Sequence, residues 1–407
     1  MGNETSAPRD APPESAAASP GESVAASPGE SVAEMLADLE ALVTCESPSA
    51  DLAAVARSAD VVAAIGTRRL GFVPERVVLD GRSHLRWRFG SGANRVLLLG
   101  HHDTVWPTGS LATHPFGVDA GVLRGPGCFD MKAGVVIAFH AVAALADPSG
   151  VAILVTGDEE LGSPSSRALI EAEAAGCAAA LVLEASADGG ALKTERKGIS
   201  LYQVTVRGRA SHAGLEPELG VNASIEAAHQ VLAVSQLGDA SRGTTVTPTV
   251  LESGTTTNTV PAAATFAVDV RVRDLEEQDR VHAAMLELQP VLAGAELVIT
   301  GGPNRPPLER SSSADLFRRA AGLAVELGLG QLEEAAVGGA SDGNFTAGIG
   351  TPTLDGLGAV GGGAHADNEH VLVAELPRRT ALLTALITDL LTADQVSKRA
   401  TAGADRS

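Results

Sequence analysis

The chain has 407 residues, 44% of them hydrophobic, and a formal net charge of −20 at pH 7. A single core seldom grows beyond about 250–300 residues, so two domains are expected. The negative charge argues against nucleic-acid and anionic-membrane partners, which would repel it. Three cysteines, Cys45, Cys128 and Cys177, show no CxxC spacing, which leaves no basis for a disulfide framework or a thiolate zinc site and points to a reducing, cytoplasmic compartment. No run approaches the roughly 18 consecutive apolar residues of a membrane span.

Residues 1–31 are rich in Ala, Pro, Ser, Gly and Glu and contain a tandem repeat, Ser19–Ala26 followed by Ser27–Ala33. They lack the positive stretch and apolar core of a secretory signal, and their composition predicts a disordered tail. Apolar residues at helical spacing predict a helix over Val32–Val43. Next come a strand at Val96–Gly100, a nearly all-apolar helix from about Met131 to Leu145, a strand over 151–157, a helix near Ser165–Ala175 and a strand over 179–184. Alternation of strand and helix implies a mostly parallel sheet in a first block of residues 32–196.

The pattern changes at Lys197. Strand Ser200–Arg207, helix Val221–Gln236, strand Thr244–Leu251, strand Ala264–Arg273, helix Glu276–Gln289 and strand Ala295–Thr300 follow the β-α-β-β-α-β order of a ferredoxin-like unit. Pro290 stops the second helix. This α+β unit, residues 197–310, is expected as an insertion, with residues 311–396 returning to the first domain and 397–407 forming a flexible tail.

Three carboxylates, Asp158-Glu159-Glu160, directly follow the apolar run 151–157. α/β proteins build sites at such strand ends. His101-His102-Asp103 stand in the same position after Val96–Gly100, and Glu184 after Ala180–Leu183. Asp130 follows the turn Gly125-Pro126-Gly127, and three glycines, 361–363, precede Ala364-His365. A pair of divalent metals needs several hard or borderline donors, one able to bridge, and an open position for water. His101, Asp130, Glu160, Glu184 and His365 are of that kind.

Taken singly, each has a plainer reading. A lone loop histidine is more often surface than ligand, and Asp158 is as well suited to capping a helix. His102 is expected to point away from its neighbour, since residues at a strand end alternate in direction. Asp367 and His370 read as solvent-exposed or capping residues in a turn into a helix, Cys128 as small packing, and Lys132 as a partner for nearby acids. Only the joint occurrence raises the metal reading.

The ordered set His101-His-Asp-Thr-Val105, Gly125-Pro-Gly-Cys-Phe-Asp-Met-Lys132, Asp158-Glu-Glu-Leu-Gly-Ser163, Glu184, Arg209-Ala-Ser-His-Ala-Gly214 and Gly363-Ala-His365 resembles the M20 family of co-catalytic zinc hydrolases, and its glutamate carboxypeptidase branch in particular, over roughly residues 35–395. The resemblance implies a mostly parallel-sheet catalytic domain with an inserted ferredoxin-like lid and dimerisation domain. It places two divalent ions, zinc foremost, on the site: Asp130 bridging, His101 and Glu184 on one ion, Glu160 and His365 on the other. Glu159 matches the general base, and Asp103 the carboxylate that orients His101. His212 matches a histidine that enters the partner subunit's site in dimeric members. Asn258, Arg271 and Arg305 match positions that contact the substrate carboxylate or line the shared site. The chain departs from the usual pattern in having Ala133-Gly134 where two glycines are common.

The expected activity is that of an M20-type metallo-carboxypeptidase or amidohydrolase releasing a C-terminal amino acid, glutamate favoured, from small peptides or N-acyl amino acids. A deacylase of N-acyl amino acids or a dipeptidase would use the same metal chemistry. A catalytically silent metal-binding or scaffold homologue is the reading from another class; loss of Glu159 or a ligand would favour it, and neither is lost. A homodimer through the lid is expected.

Overall fold

The described residues of this computed structural model run from 28 to 404, with side chains from 31 to 393. The expected tail over residues 1–31 therefore lies outside them up to residue 27. The first helix begins before the predicted Val32 and spans Pro28–Val43. The last helix spans Glu375–Ala404, past the position where a tail was expected to begin.

A six-stranded sheet organises the larger part, in the spatial order Glu75–Leu79, Arg82–Arg88, Val151–Thr156, Val96–His101, Ala179–Val182, Thr353–Leu354. The last four are parallel, and the first two join as an antiparallel hairpin. Val96–His101 is buried along its whole length. Val96 and Leu98 pack into one hydrophobic cluster, while Leu97 and Leu99 pack into another on the opposite face. Alternation of side chains with burial on both sides is why these strands read as unbroken apolar runs. The larger cluster lies under the helices Pro28–Val43, Leu52–Leu70, Ala133–Ala143 and Glu375–Ala404. The other face is covered by Arg167–Ala174 and Gly343–Gly348.

Strand Val96–His101 lies between its two successors. Val151–Thr156 sits on one side and Ala179–Val182 on the other, so their connection crosses over and a crevice opens outside their carboxyl ends.

The predicted β-α-β-β-α-β unit forms strands Gly198–Arg207, Thr245–Ser253, Ala263–Val272 and Glu296–Arg305 with helices Ala223–Ser235 and Leu275–Leu286. Its sheet is antiparallel, with Ala263–Val272 and Gly198–Arg207 central. Phe266, Val268, Val270, Tyr202 and Val281 share its own core. The last strand continues five residues beyond the expected Thr300, through an irregularity at Pro303, to pair Arg305 with Ile199. Hydropathy fails to mark that extension because it is written in Gly, Pro and Asn. Another departure is the parallel pair Leu192–Arg196 and Glu334–Val337. No helix among the described residues is long and apolar enough to cross a membrane.

Asp38 ties three helices together. Fully buried, it accepts from Arg68 Nη2, from Arg69 Nε at 2.7 Å and from His140 Nε2 at 3.0 Å. Burial opposes ionisation, but these donors outweigh it and hold the carboxyl down at about 2. A depressed carboxyl pKa contributes stability at neutral pH that is lost as pH falls from about 4 towards 2. Asp38→Ala is expected to lower unfolding free energy by about 2–3 kcal/mol in urea titrations at pH 7, and the gap between variant and wild type should narrow below about pH 4 and close only below about pH 2. A pH-independent gap would overturn this account.

Candidate metal centre

The carboxyl ends of the parallel strands bring the candidate donors together. His101 is the last residue of its strand, Glu159 and Glu160 open the short 3-10 turn after Val151–Thr156, and Glu184 lies two residues past Val182. Asp130 lies in the turn before Ala133–Ala143. That helix can approach the strand because Gly134 has no Cβ; an added one would stand 2.0 Å from the Leu183 carbonyl oxygen. His365 adopts a left-handed backbone conformation, φ 60°, which is sparsely populated for a residue with a side chain and recurs at functional sites.

All five predicted ligands converge. His101 Nε2 lies 3.4 Å from Asp130 Oδ1 and 3.6 Å from Glu184 Oε1. His365 Nε2 lies 3.2 Å from Asp130 Oδ2 and 3.2 Å from Glu160 Oε2. Asp130 thus presents a different oxygen to each histidine. Donors each about 2 Å from a tetrahedral zinc stand about 3.3 Å apart, which matches these separations. His101 Nε2 and Glu160 Oε1 are buried without a hydrogen-bond partner, contrary to the rule for buried polar atoms. A divalent cation would satisfy both, so the donor set fits a metal pair. Glu159 is also near enough to share a cation with His101 and Glu184.

Asp103 acts through two groups. Its backbone carbonyl accepts from His101 Nδ1 at 3.0 Å, with its carboxylate 3.5 Å from the same nitrogen. The carboxylate accepts the backbone N–H groups of Glu159, at 3.2 Å, and Glu160, at 3.3 Å. The expected carboxylate-to-histidine bond is therefore chiefly a carbonyl-to-histidine bond, and the carboxylate holds the acidic turn.

Arg305, expected on the substrate, is buried beside Glu159. Its Nη2 donates to Glu159 Oε1 at 2.9 Å, Asp342 Oδ1 at 2.8 Å and Ser163 Oγ at 3.0 Å. A cavity of about 460 Å³ is lined by Asp130, Glu159, Glu160, Glu184, His365 and Arg305, with Arg271, Lys193 and Arg196 on its wall. Arg271 is held by Asp269 through bonds of 2.8 and 2.9 Å. His212 and Asn258 do not line this cavity. Both are exposed; the Asn258 backbone carbonyl accepts the Ala213 N–H at 2.9 Å, and the His212 ring accepts the N–H groups of Gly214 and Leu215.

The plainer readings divide. His102 is turned away between Ser58 Oγ and the Ser83 carbonyl, and burial lowers its pKa to about 4, leaving it neutral. Cys128 is buried in the core. Asp158 does not cap the turn it begins; it anchors Ser165 and Ser166 before the next helix. Lys132, expected on an acid, donates instead to the Cys45 carbonyl at 3.1 Å. His370 opens a short strand, His370–Leu372, not a helix, because backbone pairing with Val122–Arg124 captures it.

Glu369 was missed. Buried, it accepts from the N–H groups of Gly127, Phe129 and Asp130 at 2.8–3.0 Å and from Trp106 Nε1 at 2.7 Å, fixing the turn that carries Asp130. An acid four residues after His365 was its only trace in the sequence. Arg196 was missed too; it is held by Asp355 at 2.6 Å.

The charges depend on one another. Burial alone would lower the His101 pKa, but Asp103, Asp130 and Glu184 raise it well above the usual value. Asp130 and Glu160 raise His365 to about 10. Burial raises Glu159 well above the carboxylate range, with Arg305 opposing. Both histidines are thus protonated at pH 7 before a metal enters and must lose those protons to ligate. Zinc titration of metal-free protein at pH 7, by calorimetry in buffers of differing ionisation enthalpy, should release about three protons per chain, two from the histidines and one from Glu159, and apparent affinity should rise with pH. Release of none would contradict these charge states.

Residues 97–389 match the model of peptidase family M20/M25/M40. The chain is 32% identical over 366 residues to carboxypeptidase G2 of Pseudomonas sp. (strain RS-16), covering 86% of this chain and 88% of that protein. It is 29% identical to the succinyl-diaminopimelate desuccinylase of Dechloromonas aromatica (strain RCB), covering 80% and 91%. Its fold is similar to that of the M20 family metallo-carboxypeptidase Sso-CP2 from Sulfolobus solfataricus, at 16% identity and TM-score 0.67, over 88% of this chain and 98% of that one. With the converging donors inside the matched segment, the chain belongs to peptidase family M20/M25/M40 and is a metallohydrolase.

Proposed function

We propose that the protein is a two-zinc hydrolase that cleaves an amide bond and releases a C-terminal amino acid, glutamate first, from a small peptide or N-acyl amino acid. The placement of Asp130 between two histidine–carboxylate sets is the observation that carries this reading. His101 and Glu184 would hold one ion, His365 and Glu160 the other, with Asp130 shared. When bound, such a pair polarises the scissile carbonyl and acidifies a water.

Glu159 is the proton carrier. Arg305 holds its Oε1, and Oε2 has no hydrogen bond among the described residues. That carboxyl takes a proton from the attacking water and returns it to the leaving nitrogen. Burial, which raises its pKa, strengthens it as a base once cations in the site restore its ionised form. Asp342, Asp103 and Glu369 position groups without touching substrate.

Glutamate carries two carboxylates after cleavage, and the wall offers cations to meet them. Lys193 makes no ion pair among the described residues. Arg271 has its Nε and Nη2 on Asp269 and Nη1 left to meet a carboxylate. Similarity to a desuccinylase keeps N-acyl amino acid deacylation as the second reading, on the same residues.

We also infer a homodimer through the inserted α+β unit, acting as a lid. His212 and Asn258 lie together and exposed, outside the cavity, and Leu215, Leu232 and Val250 of the same unit are 76%, 66% and 67% exposed. A partner could bury these and receive His212 in its own site.

A panel of N-acyl amino acids varying only in the terminal residue, scored by released amine, should rank glutamate first for the metal-loaded enzyme. Glu159→Gln should lower kcat by about 10²–10⁴-fold with metal content unchanged; equal rates would refute the proton-carrier role. Sedimentation equilibrium should show a dimer, and His212→Ala should lose activity while keeping its metals. A fully active monomer would exclude the shared site.

A further inference from the structure

Away from the metal centre, a cavity of about 270 Å³ lies between the N-terminal turns of the last helix, the turn Asp188–Gly190 and the segment around Leu329–Leu332. Arg379 forms part of its wall. This arginine is only 4% exposed and makes no ion pair among the described residues. Its Nη2 donates to the Gly190 carbonyl, and its Nη1 is buried without any hydrogen-bond partner. Gly190, at φ +87°, gives way to it: a Cβ there would stand 3.1 Å from Arg379 Nη2.

A buried guanidinium with neither carboxylate nor full hydrogen bonding is an unbalanced charge. Elsewhere the chain pairs its buried arginines: Arg196 with Asp355, Arg305 with Glu159 and Asp342. The acid nearest in sequence, Glu375, is taken by Arg378 at 3.1 Å, and Arg378 also donates to the Leu329 carbonyl. The titratable groups lining the cavity are Arg378, Arg379 and Glu375, so it is locally cationic on a protein of net charge −20. Gln331, on the same wall, has a side-chain amide with no partner among the described residues. Burial depresses the Arg379 pKa to about 10, with Glu375 opposing and Arg378 adding to the fall, which leaves it charged at neutral pH.

We propose that this cavity is a binding site for a small oxyanion, either inorganic phosphate or sulfate or the carboxylate of a small metabolite, with Arg379 as its counter-charge and Gln331 as a further donor. Guanidinium groups bind planar and tetrahedral oxyanions alike through paired N–H bonds. The site is joined to the catalytic edge through the backbone. The turn at Asp188–Gly190 lies just beyond Glu184, and Val360, on the cavity wall, precedes the glycine run leading to His365. An anion here would hold the last helix against the two segments that deliver those ligands.

The test is thermal unfolding of the metal-loaded protein in phosphate, or in acetate, against chloride at equal ionic strength. Phosphate reaching the metal centre acts on wild type and variant alike, so the comparison with Arg379→Met isolates this cavity. Saturating anion should raise the wild-type midpoint by about 3–5 °C. Arg379→Met should keep only whatever part of the rise the metal centre contributes, a clearly smaller response, and its midpoint in chloride should equal or exceed the wild type's, since an unpaired charge is removed. Gln331→Ala should show a reduced rise and serves as the test if the first variant does not fold. A response to phosphate alone or to acetate alone would narrow the anion class. No wild-type response, or an equal response in wild type and Arg379→Met, would overturn the proposal, as would an undiminished response in Gln331→Ala where that variant stands alone.

Discussion

Asp130, Glu159, Glu160 and Glu184 are gathered at one edge of a parallel sheet, where water is scarce and like charges repel. Such a cluster is tolerable only with positive charge in its midst. In the protein alone that charge comes from protonated His101 and His365 and from Arg305, each within about 3.6 Å of an acid. Divalent ions would replace the two protons and bring far more charge. On the proposed ligand set, metal binding would be coupled to deprotonation of the two histidines and to ionisation of Glu159.

Much of the surrounding structure serves to hold this arrangement still. Glu369 accepts three backbone N–H groups around the turn that carries Asp130. The Asp103 carboxylate does the same for the turn carrying Glu159 and Glu160. In both cases a buried carboxylate replaces water for loop amides that no strand or helix could satisfy. The inserted unit contributes from the other side: its last strand runs on to return Arg305 to the edge of the main sheet, so one residue links the two parts of the fold through Glu159 and Asp342.

Secondary structure was largely legible. Unbroken apolar runs marked the buried parallel strands, and the change of element order at Lys197 marked the insertion. Legibility failed for helix Leu52–Leu70 and the hairpin strands Glu75–Leu79 and Arg82–Arg88, which were not anticipated. It failed also where Gly, Pro and Asn carried a strand to Arg305, and at His370, where a backbone ladder with a distant segment decided the conformation. Among the candidate site residues, the five proposed donors could be picked out because they sit in clustered motifs. Glu369 could not, since a single acid in a loop carries no sign that three distant amides will converge on it. Lys132 was misread because its partner, the Cys45 carbonyl, is a backbone group that residue types do not reveal.

By its order of residues the chain determined which donors exist and which strand ends bear them, because hydropathy and motif spacing are local properties. Tertiary structure alone decided which oxygen of Asp130 meets which histidine. It also set Arg305 on Glu159 and not on open solvent, and left Arg379 buried without a counter-charge. Those outcomes depend on distances between segments far apart in the chain, and such distances are set only when the sheet, its covering helices and the inserted unit pack together.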